Sequence, residues 1–185
     1  MLEYTPRYLV MVTAGANNNK YYRMIPSGDM WTAEYGRIGG SSQTRTYHKS
    51  QWESKYNEKI RKGYTDQTDL VKDLIAEEEP SQPEYREITN RVIAEIVSRL
   101  QKMANQAISE NYTISSDKVT QAMVDEAQNI LTGLLAIQDI DEFNDTLLKL
   151  YTVIPRKMAT VKSHMATDSS QLAEIINSEQ DLLDV

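Results

Sequence analysis

The chain has 185 residues, 40% hydrophobic and 25% charged, an ordinary composition for a folded protein and enough length for one good core or two small ones. Its net charge of −7 argues against a uniformly basic surface, and the absence of cysteine excludes disulfides, a thiol nucleophile and cysteine-ligated zinc. The longest apolar runs are far too short to span a bilayer and no export signal opens the chain, so an intracellular protein is expected, with no membrane partner.

Arg7-Tyr8-Leu9-Val10-Met11-Val12-Thr13 is rich in β-branched and aromatic residues and reads as a strand, followed by a loop over Ala14 to Asn19. A second strand is expected from Lys20 to Ile25, and Pro26-Ser27-Gly28-Asp29 turns the chain into a third. In that third strand Trp31, Ala33 and Tyr35 alternate with Thr32 and Glu34, the period of two of a sheet with one buried face. It runs into Gly36-Arg37-Ile38-Gly39-Gly40, where glycines allow a close backbone approach and then a turn. Gln43 to His48 is the fourth strand. Short turns between four strands predict an antiparallel sheet.

Ser50 with Glu53 makes a capping box opening a helix whose Trp52, Tyr56 and Ile60 share one face, while Lys55, Lys59 and Lys62 are assigned to other faces. Gly63 suits a helix C-terminus, and Tyr64 is expected to fold back onto the sheet. Trp31, Trp52 and Tyr56 are the expected core of this lobe. His48 reads as a surface residue at a strand end, since no Cys, His or acidic cluster accompanies it and no metal site is expected.

Residues 67–83 are the expected linker, because Glu77-Glu78-Glu79-Pro80-Ser81-Gln82-Pro83 cannot form a core. Residues 1–66 form the first lobe and 84–185 the second. The first carries ten Lys/Arg against six Asp/Glu, a balance of +4, and the rest of the chain carries −11. The first lobe is suited to phosphate and the second is not.

Beyond the linker the period becomes 3.6. Tyr85, Ile88, Val92, Ile96, Leu100, Met103, Ala107 and Ile108 trace a long amphipathic helix. Ser115 or Ser116 caps a second, with Val119, Met123, Ala127, Ile130, Leu134 and Leu135 buried. Asp139 with Glu142 caps a third, through Phe143, Leu147 and Leu150, stopped by Pro155. Asp168 with Gln171 caps a last helix bearing Leu172, Ile175, Ile176, Leu182 and Leu183. The fold class is therefore α+β: a small antiparallel sheet with one packed helix, then an all-α bundle. Met103 and Met123 sit on apolar stripes and are expected in its core.

Tyr35-Gly36-Arg37, with Trp31 before it, Asn19-Lys20-Tyr21-Tyr22 upstream and the Trp52/Tyr56 helix after it, resembles the WGR domain. This is the Trp-Gly-Arg module of the DNA-repair poly(ADP-ribose) polymerases, found also in bacterial proteins. Tyr35 stands where the family has tryptophan, which keeps a ring for stacking but exchanges an indole N–H for a hydroxyl. Leu150-Tyr151-Thr152-Val153-Ile154-Pro155, and the closing Glu179-Gln180-Asp181-Leu182-Leu183-Asp184, are similar to the helical regulatory domain of the same polymerases.

The resemblance implies a strand-break-sensing and autoregulatory segment, docking DNA ends through Tyr35, Gly36, Arg37, Lys20 and Arg45. Arg37 would link either DNA or the neighbouring lobe. Leu150, Tyr151, Ile154 and Pro155 would mark a lobe that restrains an ADP-ribosyltransferase domain in cis. That domain would bind NAD, whereas this chain is expected to hold no cofactor and no catalytic residue. Neither His48 nor His164 is followed by the glycine of the family's NAD-binding pair. The resemblance implies a nuclear protein if the source is eukaryotic and a cytoplasmic one if it is bacterial. A protein-interaction module with an acidic helical spacer is the alternative.

Overall fold

The computed structural model describes residues 2–71, 91–111 and 119–184. The first lobe holds β1 (Arg7–Thr13), β2 (Asn18–Ser27), β3 (Met30–Arg37), β4 (Ser42–His48), α1 (Trp52–Arg61) and the short β5 (Thr65–Asp66). The strands form one antiparallel sheet in the order β4-β3-β2-β1-β5. The two-residue β5 is too short to show a period in sequence. The second lobe holds α2 (Arg91–Asn111), α3 (Gln121–Leu134), α4 (Ile140–Val153) and α5 (Leu172–Leu183). Among the described residues, no helix is long and apolar enough to cross a membrane.

The sheet is covered on both faces, which is why Leu9, Val10, Met11 and Val12 are buried in succession. One face carries Leu9, Tyr22, Met24, Trp31 and Ala33 against Trp52 of α1. The opposite face carries Val10 and Val12, joined by Ile38, into a core shared with Met123, Leu131 and Leu134 of α3 and Phe143, Leu147 and Tyr151 of α4. The two lobes thus bury one apolar cluster between them. Thr68–Val71 forms a 3-10 turn against α3, where the Thr120 hydroxyl donates to the Leu70 carbonyl at 2.5 Å.

Several helix ends differ from the sequence reading. The chain enters α1 through a 3-10 turn, Lys49–Gln51, capped by His48, whose Nδ1 accepts from the Ser50 amide; Ser50 and Glu53 do not form the capping box. Thr120 caps α3 by accepting from the Met123 amide, and Ser115 and Ser116 lie outside the described residues. Asp139 caps α4 through the Glu142 amide. Asp168 caps the 3-10 turn before α5, and Gln171 accepts from the Thr167 amide. Gly63 takes a left-handed φ of 89° after α1.

Three expectations of burial are corrected. Leu135 follows the last turn of α3 and is 66% exposed. Ile60 is 38% exposed, because the sheetward side of α1 is shared with lysine stems. Met103 is 59% exposed, whereas Met123 is in the core: α2 meets α5 and stands off the core shared with the sheet. Tyr85, Ile88 and the acidic run at Glu77 to Pro83 lie outside the described residues.

Candidate nucleic-acid interface

Alternation along β3 delivers Trp31, Ala33 and Tyr35 to the α1 face. Trp31 is fully buried, its indole N–H donating to the His48 carbonyl at 3.2 Å. Its ring stacks on Tyr47 at 4.7 Å and meets Trp52 edge-on at 5.2 Å. Trp52 in turn donates to the Glu3 carbonyl, and half-buried Tyr56 donates to Asp66 at 2.8 Å. Burial and that carboxylate push the Tyr56 hydroxyl up to about 12, so it remains a donor. The indoles thereby serve as a rigid bed beneath the more exposed tyrosines.

Tyr35 lies half-buried at the end of this bed, stacked on Tyr22 at 5.7 Å. Tyr64, folded back after Gly63, meets Tyr22 edge-on. The ammonium of Lys59 sits 4.0 Å from the Tyr22 ring centre, 5.5 Å from Tyr64 and 5.9 Å from Tyr35. Burial, with repulsion from Lys62, holds Lys59 below the ordinary lysine range. Lys55 lies 5.5 Å from the Tyr47 ring. The assignment of Lys55 and Lys59 to other faces is therefore corrected. Each lies three residues from an aromatic of α1, a spacing that shares a face.

A cleft of about 340 Å³ opens beside Tyr35, lined also by Lys20, Arg37, Ser41, Gln43 and Tyr64. Gly36 makes this geometry possible: a Cβ there would lie 2.7 Å from the Ser41 carbonyl oxygen. The register places Lys20 opposite Arg37, and Tyr35 between Tyr22 and Gln43. The cleft therefore joins a ring, a cation and neutral hydrogen-bonding groups, a chemistry suited to a base or sugar beside a phosphate.

Arg37 borders the cleft but turns its guanidinium to the second lobe. It donates to the Asn17 carbonyl at 2.8 Å, the Met158 carbonyl at 3.0 Å and the Ala159 carbonyl at 2.9 Å. Asn17, at a left-handed φ of 47°, also accepts from the Val161 amide at 2.8 Å. Asn19 donates to the Arg156 carbonyl at 2.9 Å. Lys20, Tyr35, Gly36 and Arg37 thus come together, while Arg45 lies apart on β4, with its guanidinium 5.2 Å from the Tyr47 ring centre. Sequence reasoning missed Ser41, Gln43 and Tyr22, which turn and strand composition alone do not distinguish.

In the second lobe Leu150, Tyr151, Ile154 and Pro155 are all buried. Tyr151 donates to Glu179 at 3.1 Å, and Arg156 pairs with the same carboxylate, so the segment after α4 is tied to α5. His164 meets Tyr151 edge-on, and burial lowers its basicity. Among the described residues no group of three His, Cys, Asp or Glu could hold a metal ion.

Residues 5–71 match the WGR domain family. The whole chain is similar to the Uncharacterized protein 101L of Invertebrate iridescent virus 6, 33% identical over 180 residues, which span 95% of this chain and 74% of that protein. A crystal structure of a Bacteroides fragilis protein matches at 13% identity with a TM-score of 0.32, covering 71% of this chain and 39% of its own, a likeness too distant to carry an argument.

Proposed function

Because this chain belongs to the family of protein 101L of Invertebrate iridescent virus 6 and carries a WGR domain over residues 5–71, we propose that it senses DNA ends. The observation that carries this reading is the cleft, lined by both Tyr35 and Lys20, within a lobe of positive balance. Tyr35 stacks on the terminal sugar or base, Lys20 meets the nearby phosphate, and Ser41 and Gln43 bond to sugar or base edges. Arg37 couples the cleft to the second lobe, since a phosphate that recruits its guanidinium competes with the Met158 and Ala159 carbonyls.

In a longer form of the protein the second lobe restrains an ADP-ribosyltransferase domain until an end is bound. This part rests on the likeness of Leu150, Tyr151, Ile154 and Pro155 to the polymerase regulatory segment. NAD belongs to that further domain. The two histidines here are arranged for other work, His48 capping a turn and His164 packing on Tyr151, so no step on NAD is assigned to this chain.

Fluorescence anisotropy with a short duplex tests the end-sensing role. Tyr35→Ala and Lys20→Ala should each weaken binding, the ring by about 1–3 kcal/mol. Affinities equal to the unaltered chain would overturn it. For the restraint, Leu134→Ala in a longer form should raise activity without DNA, because Leu134 is fully buried and its truncation costs about 2–5 kcal/mol. Basal activity that stays flat while hydrogen exchange shows loosened helices removes the regulatory role.

A second reading, a protein-interaction module, is favoured by the exposed Ile96, Leu100 and Met103 along α2. Salt separates the two readings, since phosphate contacts weaken steeply as salt rises and an apolar interface does not.

A further inference from the structure

We propose that the β4 edge carries a second nucleic-acid subsite, in which Arg45 and Tyr47 take the single-stranded tail of a DNA end seated at Tyr35. This inference rests on the end-sensing reading and extends it to the structure of the end. β4 lies at the sheet edge and is exposed along almost its whole length. Its alternation places Gln43, Arg45 and Tyr47 on the α1 face, the face that bears Tyr35. Gln43 pairs with Tyr35 and lines the cleft, while Tyr47 pairs with Trp31 four residues further along.

The separation suits a short tail. Four strand residues cover roughly 13 Å at about 3.3 Å each, the reach of roughly four stacked nucleotides at about 3.4 Å each. Tyr47 is half-buried and backed by the Trp31 ring, so the guanidinium that lies over it rests on a fixed support and takes a base at little additional cost in order. Arg45 is exposed, lies over the Tyr47 ring and makes no ion pair among the described residues. Lys55, also beside that ring, is partly neutralised by Glu58 at 2.9 Å, which leaves Arg45 as the stronger phosphate partner. A guanidinium over a backed ring offers a base a π-stacking plane and its phosphate a charge.

These features select an unpaired strand. A duplex conceals its base faces, so flat platforms at sheet level gain nothing from it beyond charge. An acidic peptide would meet the charge but leave the Arg45–Tyr47 plane unused.

The test compares a blunt duplex with the same duplex carrying a four-nucleotide tail, on the 5′ or the 3′ strand, by anisotropy with the whole chain at one salt concentration. One tail polarity should bind about tenfold tighter than the blunt end, the lower part of the range for one stacked base. Arg45→Ala and Tyr47→Ala should each collapse that ratio toward one, whereas Tyr35→Ala should weaken both duplexes and preserve it. A 2-aminopurine in the tail should be quenched on binding to the unaltered chain and not to Arg45→Ala. Thermal melting of both variants checks their folds, and Arg45→Ala, at an exposed position, carries the test should Tyr47→Ala misfold. Equal affinity for blunt and tailed ends, or a tail gain that survives Arg45→Ala, overturns the subsite and leaves end sensing intact. No binding to either duplex overturns both.

Discussion

The two faces of the sheet are built from opposite materials. Toward the second lobe Val10, Val12 and Ile38 meet leucines and Phe143 in a buried apolar contact. Toward α1 the apolar area comes from Trp31, Trp52 and a set of tyrosines, with lysine ammonium groups 4.0 to 5.9 Å from the rings. An aliphatic face can only be covered; an aromatic face with polar tips can be buried beneath and still offer rings and hydroxyls at its rim. The difference assigns cohesion to one face and recognition to the other.

The contrast breaks most severely behind the aliphatic face. Glu179→Ala would leave Arg156 largely buried without its carboxylate and Tyr151 with only the longer bond to the His164 carbonyl at 3.4 Å. Losing one partner of such a pair costs about 3–5 kcal/mol, so the urea midpoint should fall sharply. Val10→Ala, fully buried between sheet and helices, should cost about 2 kcal/mol by the same measurement and leave DNA-end affinity within twofold. Gly36→Ala acts on the recognition side: its new methyl displaces the Ser41 backbone, with a cost of about 1–3 kcal/mol. Here the loss should appear in end binding as well as in unfolding.

The smallest effect is a pH dependence. Hydrogen bonds from Lys62 and then Lys55 pull the Glu58 carboxyl down to about 2. The stabilisation is therefore present above the unfolded carboxylate range and is lost as pH falls through about 2. A third of the Glu58 side chain is in water, so screening holds the contribution below about 1 kcal/mol. Glu58→Gln should be slightly less stable than the unaltered chain near neutrality, a gap that closes in strong acid.

Much of this architecture is legible in the residues. Trp31, Ala33 and Tyr35 announce a strand with a buried side, and Asp139 and Gly63 mark helix ends through their own torsions and hydrogen bonds. The sheet's double burial is less legible: four successive apolar residues in β1 fit any deeply buried segment, and their second partner lies more than a hundred residues away. The entry to α1 is less legible because His48 caps a preceding 3-10 turn with its imidazole, and α1 itself is entered at Gln51 with no side-chain cap. Lysine placement was obscured by counting only steps of four from Trp52, whereas Lys55 and Lys59 stand three from Trp52 and Tyr56. Their charge suggested solvent, yet their methylene stems cover rings.

The strut at Arg37 is received almost wholly by main chain, namely the carbonyls of Asn17, Met158 and Ala159, and the neighbouring bonds add the Arg156 carbonyl and the Val161 amide. Such acceptors persist through most changes of side chain. The second lobe can therefore drift in sequence along this seam without severing it, while Arg37, Asn17 and Asn19 cannot. Divergent copies of the two lobes could be exchanged between relatives and still dock at this seam, so long as those three side chains come with the sheet.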